Sequence, residues 1–301
     1  MRIDADTVAV ITGAASGIGR ALAEAAQWRG ARLVLADIRA DALAATVTQL
    51  SDRGEVLGVP TDVSSAADME ALASAAIARF GAVNLLVNNA GVFASGLAWT
   101  VSDAEYDWVI GVNQRSVAHG IRAFVPRMIA RQAPAHVVTI ASGAGITVNP
   151  GFASYSMTKH AVVALTEALY LDLAAEGIDH IGVTIAMPGM TRSDIMNPEK
   201  ASPSYLKPSL RARLAHPRLD QLERLMRAGV DAGLPVEELA RTVLDAVVAD
   251  ALYVLPGFSD AASRTFAEAV GHGRATGSNP YPRFMPARSA GGAGFTPDGI
   301  G

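Results

Sequence analysis

The sequence predicts an α/β protein: a doubly wound parallel sheet of about seven strands with helices on both faces. Three observations predict it. Short apolar runs alternate with helical patterns along most of the 301 residues. The runs are continuous rather than alternating apolar and polar, which suits strands buried on both faces. Strand–helix–strand order implies right-handed crossovers into one sheet.

In chain order, the strand-like runs are Val8–Thr12, Leu33–Asp37, Val56–Pro60, Leu85–Asn88, Val137–Ala141, Ile181–Met187 and Leu252–Leu255. Helical patterns lie between them, at Ile18–Arg29, Asp41–Asp52, Ala66–Phe80, Asp103–Ala130, Tyr155–Glu176 and Val236–Ala249. Gly30, Gly54, Gly81 and Gly177 follow helix ends, where a left-handed cap suits a residue without Cβ. Residues 191–234 break the rhythm with four prolines and one helix near Leu219–Ala228. A long insertion after a strand's carboxyl end reads as a substrate loop. Residues 1–257 therefore read as one domain, and the Gly-, Pro- and Arg-rich 258–301 as an irregular extension.

Composition excludes several classes. A net charge of −4 offers no basic excess for nucleic acid. The absence of cysteine rules out disulfides and thiolate metal sites, and no His–carboxylate spacing suggests a metal. No apolar stretch is long enough to cross a membrane. The first residues lack the layout of a signal peptide, so a cytoplasmic location is expected.

The chemistry begins at Thr12-Gly13-Ala14-Ala15-Ser16-Gly17-Ile18-Gly19, between the first strand and the first helix. Gly13, Gly17 and Gly19 let the backbone approach a pyrophosphate, and the helix N-terminus offers free N–H groups. Asp37 ends the second strand, where a carboxylate can accept from ribose hydroxyls and repel a 2′-phosphate. Ser16 brings no cation. Arg39 could turn toward a 2′-phosphate but reads as a solvated helix-start residue, so NAD is favoured over NADP. Asp62-Val63 suits a contact to the adenine amino group, or the cap region of the next helix.

Tyr155 and Lys159 stand four residues apart at the start of a helix and so share a face. Ser142 ends the fifth strand, thirteen residues earlier. These groups would meet beside the nucleotide crevice. A free phenol has a pKa of about 10, too high for an efficient base at neutral pH. A Lys⁺ at ~4 Å would favour tyrosinate by up to ~4 kcal/mol at an effective dielectric of about 20.

With these residues in view, the sequence resembles the short-chain dehydrogenase/reductase family, in its single-domain, Rossmann-type branch. The motifs are Thr12-Gly13-(three)-Gly17-Ile18-Gly19, Asn88-Asn89-Ala90-Gly91, Asn113, Ser142, Tyr155-(three)-Lys159 and Pro188-Gly189. The resemblance implies that Tyr155 exchanges a proton with a secondary alcohol or ketone while Ser142 holds the substrate oxygen. It implies that Asn113 holds a water linking Lys159 to solvent, and that Lys159 also bonds the nicotinamide ribose. It assigns Ile38, Asn89, Ala90 and Gly91 to the cofactor's passage and Pro188-Gly189 to the nicotinamide. The family's usual Thr five residues after this Pro is Ser193 here, with Thr191 two earlier, so either hydroxyl could bind the carboxamide. Stretches around Asp107–Ile129 and Leu239–Pro256 are also similar to a subgroup acting on bulky, often aryl-bearing alcohols, including dehydrogenases of lignin-type aryl ethers.

Phe93, Ala144, Asn149, Phe152, Met190 and Met196 fall on the loops expected around the substrate and predict an apolar pocket. His119 and His160 point away from the site by helical rotation and read as packing residues. Asp103 and Glu105 read as favouring a helix N-terminus. By resemblance, the helices after Asp103 and Tyr155 pair across a homodimer or homotetramer.

Overall fold

The computed structural model describes residues 1–212, 216–257 and 261–283. The chain divides into two compact units, Met1–Phe258 and Ser259–Gly301. In the first, the apolar runs form β1 (Val8–Thr12), β2 (Arg32–Asp37), β3 (Val56–Pro60), β4 (Leu85–Asn88), β5 (Ala135–Ile140), β6 (Ile181–Ala186) and β7 (Tyr253–Val254). All pairs are parallel, in the order β3-β2-β1-β4-β5-β6-β7. The order reverses between β1 and β4, and that switch point opens a crevice at the strands' carboxyl ends.

Alternate residues of β1 feed two cores. Ala9 and Ile11 pack with Leu22 and Ala26 of α1 (Gly17–Trp28) and with Leu239, Val243 and Val247 of a late helix, Val236–Val248. Val8 and Val10 face the other side, with Leu72 and Ala76 of Ala66–Phe80, Phe124 and Met128, and Leu169 and Leu173. Burying both faces explains the continuous apolar runs. Each fully buried Leu or Val contributes about 1.5–3 kcal/mol before chain entropy is charged against it.

The helices, in order, are α1, α2 (Ala40–Ser51), α3 (Ala66–Phe80), α4 (Asp103–Ile110), α5 (Ser116–Arg131), α6 (Ala153–Ala175), α7 (Lys207–Ala212), α8 (Pro217–Asp231), α9 (Val236–Val248) and α10 (Ala261–Thr276). Four differ from expectation. Residues 191–234, expected to hold one helix, hold α7 as well as α8. The long helix after Asp103 is interrupted by a π turn, Gly111–Arg115, between α4 and α5. A widened turn adds one residue without changing hydrophobic period, so the sequence does not announce it. Helix α6 starts at Ala153, with Phe152 as N-cap, so Tyr155 is its third residue. Within 258–301, expected to be irregular, Ala261–Thr276 is helical, because its Gly and Pro lie mainly outside this stretch.

Gly81 caps α3 at φ 75°, whereas Gly54 is not in the left-handed region. Ser102 caps α4 and Glu105 completes the capping box, as the acidic first turn suggests. Residues 191–234 leave the sheet and return as a pinned loop. Thr191 pairs with Leu234, whose N–H donates to the Met190 carbonyl at 2.9 Å.

Candidate functional site

The glycine-rich turn is shaped by contact as well as by dihedral freedom. Gly13 has φ 65°, and a Cβ there would lie 2.9 Å from the Ala90 Cα. At Gly19 a Cβ would lie 2.3 Å from the Gly13 carbonyl oxygen and 2.5 Å from Asn89 Nδ2. Asn89 Nδ2 donates to the Thr12 carbonyl at 2.8 Å, and the Thr12 hydroxyl accepts from Asn89 N–H at 3.0 Å and Ala90 N–H at 3.1 Å. The Asn89-Ala90-Gly91 turn is thus tied to the β1 turn across the switch point. Thr12 carries this tie, a role its place in the glycine motif does not announce. Ser16 is the N-cap of α1 and makes no side-chain cap bond, so the N–H groups behind it face the crevice. A cradle with no room for a Cβ, opening on a helix N-terminus, can hold a pyrophosphate.

Asp37 is buried at the crevice's far end. Its Oδ2 accepts from Ala15 N–H at 3.0 Å, and its Oδ1 from Arg39 N–H at 3.0 Å and Arg39 Nε at 3.2 Å. Arg39 Nη2 also donates to Ser16 Oγ at 2.8 Å. The expected solvated Arg39 is therefore corrected: its guanidinium clasps Asp37 and Ser16, because a buried carboxylate attracts the nearest cation. Ile38 is exposed beside it. Asp62 makes a tight local turn to Ser64 N–H at 2.9 Å, while Ser65 caps α3. Val63 is buried, and His119 Nδ1 lies 3.2 Å from its carbonyl oxygen.

On the other side of the switch point stand Asn113, Ser142, Tyr155 and Lys159. Asn113, inside the π turn and buried, accepts from Val92 N–H at 2.8 Å and donates to the Val92 carbonyl at 2.9 Å and to Thr158 Oγ1 at 3.2 Å. Its amide therefore fastens the chain after β4 to α6. Lys159 is buried and donates to the Ile140 carbonyl at 3.0 Å. Its Nζ lies 5.7 Å from the Tyr155 ring centroid. Gly91 leaves a small gap between the two polar groups: a Cβ there would lie 3.5 Å from Asn113 Oδ1 and 3.6 Å from Lys159 Nζ.

Burial sets the proton affinities here. Desolvation lowers Lys159 to about 8. It raises the Tyr155 phenol above its ordinary value, and a hydrogen bond with Ser142 offsets part of the rise. The charge of Lys159, expected to favour tyrosinate together with a bound nicotinamide, is opposed here by burial. Both groups are pushed toward their neutral forms, because low dielectric penalises each charge. Ser142 also accepts from Ala144 N–H at 3.1 Å, which fixes its rotamer.

The apolar wall is an aromatic cluster. Phe93 packs edge-to-face on Tyr155 at 5.2 Å and on Phe152 at 5.0 Å, and Phe152 stands 6.5 Å from Tyr155. Met196, Val230, Leu222 and Met226 pack against these rings, which brings the segment after β6 and α8 over Tyr155. Ala144 is buried near Ser142. Asn149 and Met190, expected at the pocket, are exposed and lie outside this cluster. The Met190 side chain rests near Gly229 instead. Pro188 accepts from Gly143 N–H at 2.8 Å, and a Cβ on Gly189 would strike the Gly257 carbonyl, so this turn admits no larger residue. Ser193 approaches Gly17, while the Thr191 hydroxyl is bonded to the Gly189 carbonyl at 3.2 Å. Among the described residues no cluster of three His, Cys, Asp or Glu could hold a metal, and no helix is long and apolar enough to cross a membrane.

Comparison with known proteins agrees with this geometry. A family model described as short chain dehydrogenase matches residues 7–203. A CLA biosynthesis dehydrogenase/reductase of Lactiplantibacillus plantarum is 32% identical over 251 residues, covering 83% of this chain and 87% of its own. A C alpha-dehydrogenase of Sphingobium is 35% identical over 256 residues, covering 83% and 80%. The crystal structure of a short chain dehydrogenase/reductase from Burkholderia phymatum in complex with NAD superposes with a TM-score of 0.85 at 38% identity, covering 93% of this chain and 98% of that one. A glycine cradle on a helix N-terminus, a parallel sheet reversing at β1/β4 and these sequence matches have one common source: the chain is an oxidoreductase of the short-chain dehydrogenase/reductase family, with a Rossmann-type fold.

Proposed function

We propose that this protein interconverts a secondary alcohol and a ketone on a hydrophobic, aryl-bearing small molecule, using NAD in preference to NADP. The observation that carries the reading is the Tyr155 phenol, near enough to Ser142 for the hydroxyl to lower its proton affinity, four residues before a buried lysine and walled by Phe93 and Phe152. Tyr155, once its own proton has left along the path through Lys159, takes the alcohol proton as phenolate in oxidation, and the protonated phenol gives it back in reduction, while Ser142 holds the substrate oxygen. NAD⁺, when bound, supplies the hydride acceptor and a positive charge beside the phenol. Lys159, tied to Ile140 by one N–H, keeps two N–H groups for the ribose and for the proton path. Asn113 fixes the wall of that path through Val92 and Thr158, and the gap at Gly91 suits a relay water. Gly13, Gly17 and Gly19 seat the pyrophosphate, Asp37 the adenosine ribose, and Pro188, Gly189 and Ser193 the nicotinamide end.

The NAD preference rests on Asp37. Its buried carboxylate repels a 2′-phosphate, and Arg39, already committed to Asp37 and Ser16, is not free to receive one. The aryl preference rests on the ring cluster and on the similarity to the Sphingobium C alpha-dehydrogenase. Exposed Tyr170 and Leu171 on α6, with Tyr253 and Leu255 at the sheet edge, support a homodimer or homotetramer. The test is a screen of aryl, alicyclic, steroid and aliphatic secondary alcohols with NAD⁺ and NADP⁺. The reading expects turnover of aryl alcohols at higher kcat/KM with NAD⁺. A large NADP⁺ preference would sink the Asp37 argument.

A further inference from the structure

Asp37, the buried carboxylate proposed to accept from the adenosine ribose, already has its hydrogen-bonding capacity filled. A carboxylate offers about four lone-pair sites. Its Oδ1 accepts from Arg39 N–H at 3.0 Å and from Arg39 Nε at 3.2 Å. Its Oδ2 accepts from Ala15 N–H at 3.0 Å and from Arg39 Nη2 at 3.4 Å. Two of these donors are main-chain groups, one in the glycine-rich turn and one at the N-cap of α2. The other two belong to a single guanidinium. A ribose also brings two neighbouring hydroxyls, so ribose and guanidinium compete for the same pair of sites.

The same side chain spans the space between the two turns. Arg39 Nη2 donates to Ser16 Oγ at 2.8 Å, which links the end of β2 to the N-cap of α1. The Asp37 side chain is 6% exposed and that of Arg39 is 27% exposed, so it is Arg39 that has a way out toward water. Ribose hydroxyls can take the guanidinium's place because they donate. A 2′-phosphate cannot, being an acceptor like the carboxylate it would meet.

We infer that Arg39 is an internal competitor of the cofactor: its guanidinium fills the ribose-accepting sites of Asp37 in the free protein and is displaced when NAD binds. The inference rests on the reading of Asp37 as the ribose acceptor and adds a regulation of that site. A protein whose binding-competent state is only partly populated binds its ligand with an affinity reduced by that fraction. Arg39 therefore weakens NAD binding although it stands in the cofactor site.

Two variants test this. Arg39→Met keeps an apolar stem and removes every donor of the guanidinium, and Arg39→Lys offers one compact ammonium in place of the planar fork. NADH affinity is read by calorimetry, and thermal melting is followed with and without saturating NADH. Arg39→Met should bind NADH roughly three- to ten-fold more tightly than the wild type, a range set by hydrogen bonds to a charged group, with Arg39→Lys in between. The free Met variant should melt below the free wild type, because Asp37 loses its partner, while the two NADH-loaded proteins should melt together. Reduced nicotinamide mononucleotide, which lacks the adenosine ribose, should bind both proteins equally. Unchanged or weaker NADH binding by Arg39→Met would overturn the inference, as would a tightening shared by the mononucleotide. A strong wild-type preference for NADPH would instead overturn the proposed use of NAD, and the sign of the Arg39→Met effect on NADH would still decide the role of Arg39.

Discussion

The two sides of the crevice are built differently. On the cofactor side, short polar side chains bind backbone: Asp37 accepts from Ala15 N–H, the Thr12 hydroxyl accepts from Asn89 N–H and Asn89 Nδ2 donates to the Thr12 carbonyl, and the glycines leave space that no side chain could share. On the substrate side, contacts run through side chains from Phe93, Phe152, Met196 and α8. The difference teaches where each side can vary. A backbone cradle tolerates almost no substitution, whereas a side-chain wall changes its ligand one residue at a time.

The comparison breaks most sharply at Gly19. Gly19→Val would drive its Cβ into the Gly13 carbonyl and Asn89. NAD titration should show affinity lost by two orders of magnitude or more, and retention of wild-type affinity would show that the cradle is not rigid. Asp37→Ala should have the next largest effect. It removes the buried carboxylate proposed to accept from the ribose and frees Arg39, so the kcat/KM ratio of NAD⁺ to NADP⁺ should fall roughly 10–100-fold, the range of one or two charged hydrogen bonds. On the substrate side, Phe152→Ala should raise KM for aryl alcohols about ten-fold and leave NAD binding unchanged, consistent with an aromatic contact of about 0.5–1.5 kcal/mol plus lost burial. Equal damage to both ligands would erase the distinction between the two sides.

The smallest effect lies away from both. His136, fully buried on β5 with its Nε2 2.8 Å from Thr184 Oγ1, is lowered by desolvation from 6.5 to about 3. The unfolded chain takes up this proton as pH falls through about 6.5, and the folded one resists until about 3. Stability from the neutral imidazole is therefore present above 6.5 and lost as pH falls toward 3, with a slope of up to about 1.4 kcal/mol per pH unit. Denaturant melts of wild type and His136→Gln at pH 7 and pH 5 should show the variant losing less stability on acidification. Parallel losses would assign the acid sensitivity elsewhere.

What was legible in the sequence follows the same division. The sheet, the switch point and the family resemblance could be read because glycine spacing and doubly buried strands leave patterns in one dimension. The widened turn around Asn113 could not, since one added residue keeps the helix apolar period. The clasp of Arg39 on Asp37 was misread as solvation, because two residues apart in sequence says little about a buried charge. The upward push on Tyr155 is not legible for a similar reason: Phe93, which packs on its ring, is distant in the chain. Asn149 and Met190 were placed by loop membership, and loop membership does not fix which way a residue faces.

The account turns on Tyr155 as the proton-transfer group. The most direct test is Tyr155→Phe, which keeps the ring against Phe93 and Phe152 and removes only the hydroxyl. NAD⁺ binding should persist, while kcat for aryl alcohol oxidation should fall by about 10²–10⁴-fold, the usual contribution of a general acid–base group. Near-normal turnover in that variant would contradict the account.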